Sequence, residues 1–322
     1  MIIAKDQWDL GHLRQHLQFA VDLEMWTIPF YMSAMFSIID RSSEAFQLIQ
    51  SVVNQEMLHV QLVSNVCNAY GHRPTFPAPV YEGEKIPHLD FALDTPDPRT
   101  TYHPSSAEIG PLDELRINSM CLIEYPEYDT GHEPDLRDTV SEYGSIGEFY
   151  DAVEFGARQL AADIQGGVNQ IDMFSAFYRN MPKLTVEASG KSAYAQVALL
   201  IDAIRDQGEG RKKNELIEKA FQNTADDSCP ELSHFDKFEK IRDEKTFPPT
   251  YPLKETSEYT QDDKELRKIL VVNFTALRAS LDKLFAGQDA ENFEALMVTI
   301  GGNITNCWKN GVLPKFSRCE IQ

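Results

Sequence analysis

Apolar residues recur at helical spacing over most of the chain, and the polar residues that interrupt them carry the information. Over about 9–37, Leu13, Leu17, Ala20, Val21, Ile28, Tyr31 and Met35 share one face of a predicted helix. Pro29 lies inside it, where a missing amide predicts a kink. A second helix, about 43–70, places Val52, Val53, Val60, Val63 and Cys67 on its apolar stripe and stops at Gly71, a usual C-cap residue. The short link around Asp40, Arg41 and Ser42 predicts antiparallel neighbours.

From Gly71 to Pro111 the helical pattern lapses. Eight of the seventeen prolines fall there, so this is a long, semi-rigid excursion: a lid, a pocket wall or a structural wrap. Asp113 to Tyr128 regains a helix-like or strand-like pattern that ends at Pro126. A third helix is predicted over about 145–171. Ser145 with Glu148 three residues on has the capping-box pattern, and Ile146, Phe149, Tyr150, Val153, Ala157, Leu160 and Ile164 form its apolar face. A fourth runs over about 192–209, breaks into a charged insertion, and resumes over 233–244. Accessory helices fill about 260–308. There is no internal repeat, Walker A loop or dinucleotide-binding glycine pattern. The pattern predicts an all-α fold: a four-helix bundle with a Pro-rich excursion and extra C-terminal helices, read as one domain over 1–322.

The interruptions suggest chemistry. Glu56 and His59 sit three residues apart within the apolar stripe of the second helix, so their side chains project to nearly the same side. A buried carboxylate needs a counter-charge, a proton or a metal, because isolation costs on the order of several kcal/mol. Glu24 is a second carboxylate in the middle of an apolar face. It lies about as far from the interhelical link as Glu56 does, so the two are level in the bundle. Arg14 and Arg41, the nearby arginines, are at other heights. Two carboxylates and an imidazole at one level resemble half of a dinuclear carboxylate site.

The other half has to come from the later helices. Glu209 closes the fourth helix without a histidine three residues on, and His234 in "SHFDKF" is the substitute. Glu148 and Glu154 compete on the third helix: Glu154 flanks the apolar face, whereas Glu148 is the one level with Glu209 in an antiparallel pair but also suits a capping box. His12 and His16 read as solvated. His72, His88, His103 and His132 fall in loops, where one is a candidate for substrate binding.

Composition narrows the function classes. Thirty basic residues against fifty acidic ones give a formal charge of −20, which excludes a basic nucleic-acid face and disfavours anionic membranes. Apolar runs fall short of the roughly 18 residues that a membrane helix needs. Five cysteines (Cys67, Cys121, Cys229, Cys307, Cys319) are scattered without a Cys-x-x-Cys pair, which fits neither a disulfide framework nor a thiolate zinc site. With no signal-peptide pattern at the N-terminus, the expected location is the cytoplasm.

The segments "LQFAVDLEMWTIPFYMSAMFSI", "QEMLHVQLVSNVCNAYG", "CLIEYP", "SIGEFYDAV", "QGEG", "SHFDKF" and "ENFEALMVTIGGNITNCW" together resemble the ferritin-like domain of the VioB-type iminophenylpyruvate dimer synthases and their smaller stand-alone bacterial relatives. The resemblance covers most of the chain. It implies a ferritin-like bundle in which Glu24, Glu56, His59, Glu148, Glu209 and His234 match the metal-ligand pattern, favouring Glu148 over Glu154. The large additional regions of the pigment-forming synthases are absent, so their reaction does not transfer wholesale.

The expected cofactor is a pair of iron ions, with manganese or zinc admitted by ligand type. The expected activity is that of a non-haem diiron oxidase or oxygenase using dioxygen on a small, amino-acid-derived metabolite, with an electron donor as partner. A ferroxidase or iron-handling protein is the alternative, and a helical binding module without catalysis the third reading.

Overall fold

Six helices begin where a short polar side chain closes the first turn. Asp9, Ser43, Asp113, Ser145, Ser233 and Thr260 each accept a hydrogen bond from the backbone amide three residues on, satisfying a donor that the helix itself leaves open. The computed structural model describes residues 1–94, 96–126, 134–208, 216–225, 227–290 and 292–317. Among them are eight α-helices and no strands. These are α1 (Leu10–Ser37), α2 (Glu44–Ala69), α3 (Glu114–Ile123), α4 (Ile146–Gln159), α5 (Tyr194–Gly208), α6 (His234–Asp243), α7 (Gln261–Leu284) and α8 (Phe293–Lys309). No helix is long and apolar enough to cross a membrane.

α1 and α2 form the long antiparallel pair that their patterns predict, and α1 runs through Pro29 without a break. The other side of the bundle is built differently from the expectation. It is made of four short helices: α3 packs on α6, and α4 packs on α5, while α1 touches α4 and α2 touches α5 and α6. Asp113 to Ile123 thus belongs to the bundle as helix, its ambiguity resolved by burial of Ile117, Met120, Cys121, Leu122 and Ile123. The third predicted helix ends at Gln159 rather than near 171. There the chain turns to meet the end of α2, with the Gln165 amide donating to the Ala69 carbonyl, and Gly167 takes a positive φ of 72° that helix cannot use.

The Pro-rich excursion is a strap along α1. Gln18 holds Thr75 through two bonds, the Trp26 indole donates to the Val80 carbonyl, and the Tyr81 hydroxyl donates to the Trp26 carbonyl. That last bond falls near the stretch where Pro29 has removed a helical donor. α8 packs on both α1 and α7, with Trp308 of α8 fully buried. Arg278 ties α7 to the strap at the Phe76 carbonyl.

Candidate metal centre

Glu24, Glu56 and His59 come together as the register of α1 and α2 dictates. All three are buried, with exposures of 2%, 1% and 2%. His59 Nδ1 lies 3.4 Å from Glu24 Oε2 and 3.9 Å from Glu56 Oε1. The second half arrives at the two points where the opposite side of the bundle is interrupted. Glu124 caps the C-terminus of α3, and His234 is the first residue of α6. His234 Nδ1 sits 2.8 Å from Glu56 Oε1 and 3.6 Å from Glu124 Oε2. The ligand atoms of Glu56, His59 and His234 all fall within 4.8 Å of one another. The two imidazoles stack with centroids 5.1 Å apart.

Each histidine turns its other nitrogen away from the carboxylates onto a glutamine. His59 Nε2 lies 2.9 Å from Gln207 Oε1, and His234 Nε2 lies 3.2 Å from Gln55 Oε1. The Gln207 amide donates to the Phe221 carbonyl, which can only accept, so its oxygen is the atom facing His59. Hydroxyls hold the outer carboxylate oxygens: Tyr150 donates to Glu24 Oε1, Thr27 to Glu56 Oε2 and Tyr31 to Glu124 Oε1, the last two at 2.6 Å. The inner atoms are left facing one another. Glu56 Oε1 and His234 Nδ1, though 2.8 Å apart, are not aligned for a hydrogen bond, and both are buried without a partner.

Burial and the neighbouring Glu124 and Glu24 charges push the Glu56 carboxyl well above the ordinary range. Burial acts the same way on Glu24, but hydrogen bonds from His59, Glu56 and Tyr150 outweigh it and draw its pKa down. For His59, burial opposes the charge and Glu24 restores it, so the imidazole holds a proton more tightly than usual. Without a cation, the cluster retains protons among its own groups. With one, the same oxygens and nitrogens are a donor set of hard carboxylates and borderline imidazoles, which fits iron, manganese or zinc.

Among the described residues, Glu148 and Glu154 are engaged by other partners. Glu148 is not brought to this cluster: its Oε1 takes Arg137 Nη2 at 2.6 Å and its Oε2 takes the Gly144 amide at 2.8 Å. This is a capping role, with the return bond made one residue before the N-cap. Glu154 is held by Arg205 at 3.0 Å and by the Tyr194 hydroxyl. Glu209 lies outside the described residues, as do His132 and Cys319. His16 is fully buried against Trp8, Tyr143 and Phe149 rather than solvated, because the N-terminal segment and the stretch before α4 cover that end of α1. Glu124 is the residue that sequence reasoning missed. Its one signal is a lone carboxylate closing the apolar run 120–123.

One crevice opens on the cluster, and a separate cleft lies along the strap. A narrow crevice of about 10 Å³, room for one water, is lined by Glu24, His59, Glu124, Tyr150 and Gly208. A wider cleft of about 760 Å³ lies under the strap between Val80 and Phe91, with Arg99, Leu122 and Ser141 completing its wall. His88 lines that cleft, edge-on to Phe19.

Known proteins agree with this architecture. A ferritin-like protein from Caulobacter vibrioides, known from its crystal structure, is 42% identical and superposes with a TM-score of 0.84, over 96% of this chain and 99% of that one. No protein among the curated sequences matches. The model of the Ferritin-like family matches residues 17–243, which take in most of α1, all of α2 to α6 and every carboxylate and histidine of the cluster. With that match across the bundle and the buried Glu/His cluster at its centre, the chain belongs to the ferritin-like family.

Proposed function

We propose that this protein is a non-haem diiron oxidoreductase that uses dioxygen on a small organic substrate. The observation that carries the reading is the convergence of five ligand atoms on one buried space, where protons retained by Glu56 and His59 take the place of a cation. Three inner carboxylate oxygens and two imidazole Nδ1 atoms meet in a buried space, and the Thr27, Tyr31 and Tyr150 hydroxyls lie against outer oxygens. Such a set is costly unless a cation sits among it. Glu24, Glu56, Glu124, His59 and His234 would hold two dications, with Glu209 as a fourth carboxylate that would bring the ligand charge to balance them. Bound iron would supply one-electron redox steps and dioxygen activation, which no side chain here provides alone.

The chain's own part is placement and proton management. Gln207 and Gln55 orient the imidazoles, in the way that outer partners usually fix metal-bound histidines. Tyr31 and Tyr150, whose hydroxyl pKa values burial pushes well up, keep their protons beside the ligand carboxylates. The crevice between α4 and α5 admits a water-sized molecule, and the strap cleft has the volume of a metabolite site. The motif likeness to the iminophenylpyruvate dimer synthases supports an amino-acid-derived substrate. The elaborated exterior, with strap and accessory helices over the bundle, supports an enzyme over a cage subunit.

Metal analysis after expression in iron-supplemented medium tests the first step: about two irons per chain are expected, and none would refute the site. Exposure of the anaerobic ferrous protein to dioxygen tests the second. A single-turnover oxidised centre is expected, whereas continued mineral growth from added ferrous ion would identify a ferroxidase instead.

A further inference from the structure

Beneath the cluster lies a buried ion pair that the proposed chemistry does not use. Lys237 and Asp227 have fully buried side chains, with Nζ 2.8 Å from Asp227 Oδ2. A buried pair is poor support for stability, since an apolar pair of similar volume serves as well or better. Lys237 Nζ also lies 3.1 Å from Gln55 Oε1. That same oxygen lies 3.2 Å from His234 Nε2.

This geometry settles a protonation pattern. An ammonium group has donors only, so the Gln55 atom facing it must be the oxygen and the amide cannot flip. The oxygen can only accept, so the His234 nitrogen opposite it must carry the hydrogen. When the ring is neutral, His234 Nδ1, the atom pointing at Glu56 and Glu124, then carries the lone pair. Lys237 is three residues after His234 on α6, and Gln55 immediately precedes Glu56 on α2. The lysine therefore acts across the interhelical gap on a histidine of its own helix. At the other histidine the equivalent brace is neutral, Gln207 on the Phe221 carbonyl.

We propose that the Lys237–Asp227 pair is a positioning device that locks His234 in its Nε2–H tautomer, through Gln55, so that Nδ1 is always presented as a ligand to one of two metal ions. The inference rests on the metal reading above. It also makes the two halves of the site unequal, one braced by a charge and the other by a backbone carbonyl.

The test removes both charges together, in Lys237→Met with Asp227→Asn, so that neither is left buried alone. Thermal stability of the metal-free double variant is expected to equal or exceed that of the original protein. Anaerobic titration with ferrous ion is expected to show one of two sites weakened 10- to 100-fold, the range for lost outer partners of metal ligands, and the other unchanged. Two undiminished sites in the double variant would overturn the proposal. A second measurement needs neither metal nor variant: nitrogen-15 spectra of the histidine rings in metal-free, unmutated protein at alkaline pH. His234 is expected as the Nε2–H tautomer, and an Nδ1–H ring would overturn the inference. If the unmutated protein binds no iron, the metal reading falls, while the ring spectrum still decides the brace.

Discussion

Glu124→Gln should move stability in opposite directions with and without metal. The substitution keeps the shape and the Oε1 that accepts from Tyr31, and places an amide where Oε2 faces His234 Nδ1. Since that nitrogen lies 2.8 Å from Glu56 Oε1 and 3.6 Å from Glu124 Oε2, the two carboxylate oxygens are at most about 6 Å apart. Like charges at that distance repel by about 3 kcal/mol at an effective dielectric constant of about 20. The proton that Glu56 retains removes part of this repulsion from the chelated protein, so about 3 kcal/mol is the most that the variant gains. At roughly 2 cal/mol/K of unfolding entropy per residue, a chain of 322 residues then melts up to about 4 °C higher. With metal present the sign reverses, because a ligand has been lost and the bound ions stabilise the variant less. The assay is a pair of melting curves for each protein, one with chelator and one with saturating ferrous ion under argon. A crossing of the two orders is expected. A chelated variant that melts below the original protein, or an iron-loaded one that matches it, would refute the placement of Glu124 in an acceptor cluster.

Other perturbations separate structure from chemistry. Glu148→Ala should cost about 2 kcal/mol by freeing Arg137 and the Gly144 amide; urea unfolding reads the cost, and metal analysis should show an unchanged iron count. Gly208→Ala would place a methyl group 3.2 Å from Glu124 Oε2, so ferrous titration should show weaker binding while the chelated protein keeps its stability. Burial pushes His16 down to about 4 from an ordinary 6.5. Above pH 6.5 both states are neutral and nothing is gained. Between 6.5 and 4 the unfolded chain takes up a proton that the folded one refuses, so stability falls with pH by about 3 kcal/mol in all. In His16→Gln that part of the acid sensitivity should be missing from unfolding free energies measured at successive pH values.

The first half of the cluster was legible because α1 and α2 are long and unbroken. A periodic pattern extends far enough there to say which way Glu24, Glu56 and His59 point, and the link fixes their relative height. The same reasoning loses its footing opposite them. α3 and α6 have ten residues each, too few for a period to establish a face, and Glu124 and His234 stand at their ends rather than within them. Glu148 drew attention because an antiparallel pair would bring it level with Glu209, yet Arg137, eleven residues earlier in an irregular stretch, takes its carboxylate. No spacing rule could supply that partner. His16 is a similar case: its burial depends on Trp8 and Tyr143, which approach from outside the helix.

The interrupted side of the bundle also has a consequence for timing. Glu124 and His234 stand where α3 ends and α6 begins, and the latter follows Glu24 by some two hundred residues. Contacts over such separations close late, after local helices have formed. A ribosome releases α1 and α2 with only a carboxylate pair and one imidazole in hand. On the proposed reading, tight capture of iron would wait until α6 has been made and docked. Loading would act as a completion check, with truncated or stalled chains left unable to retain a redox-active ion.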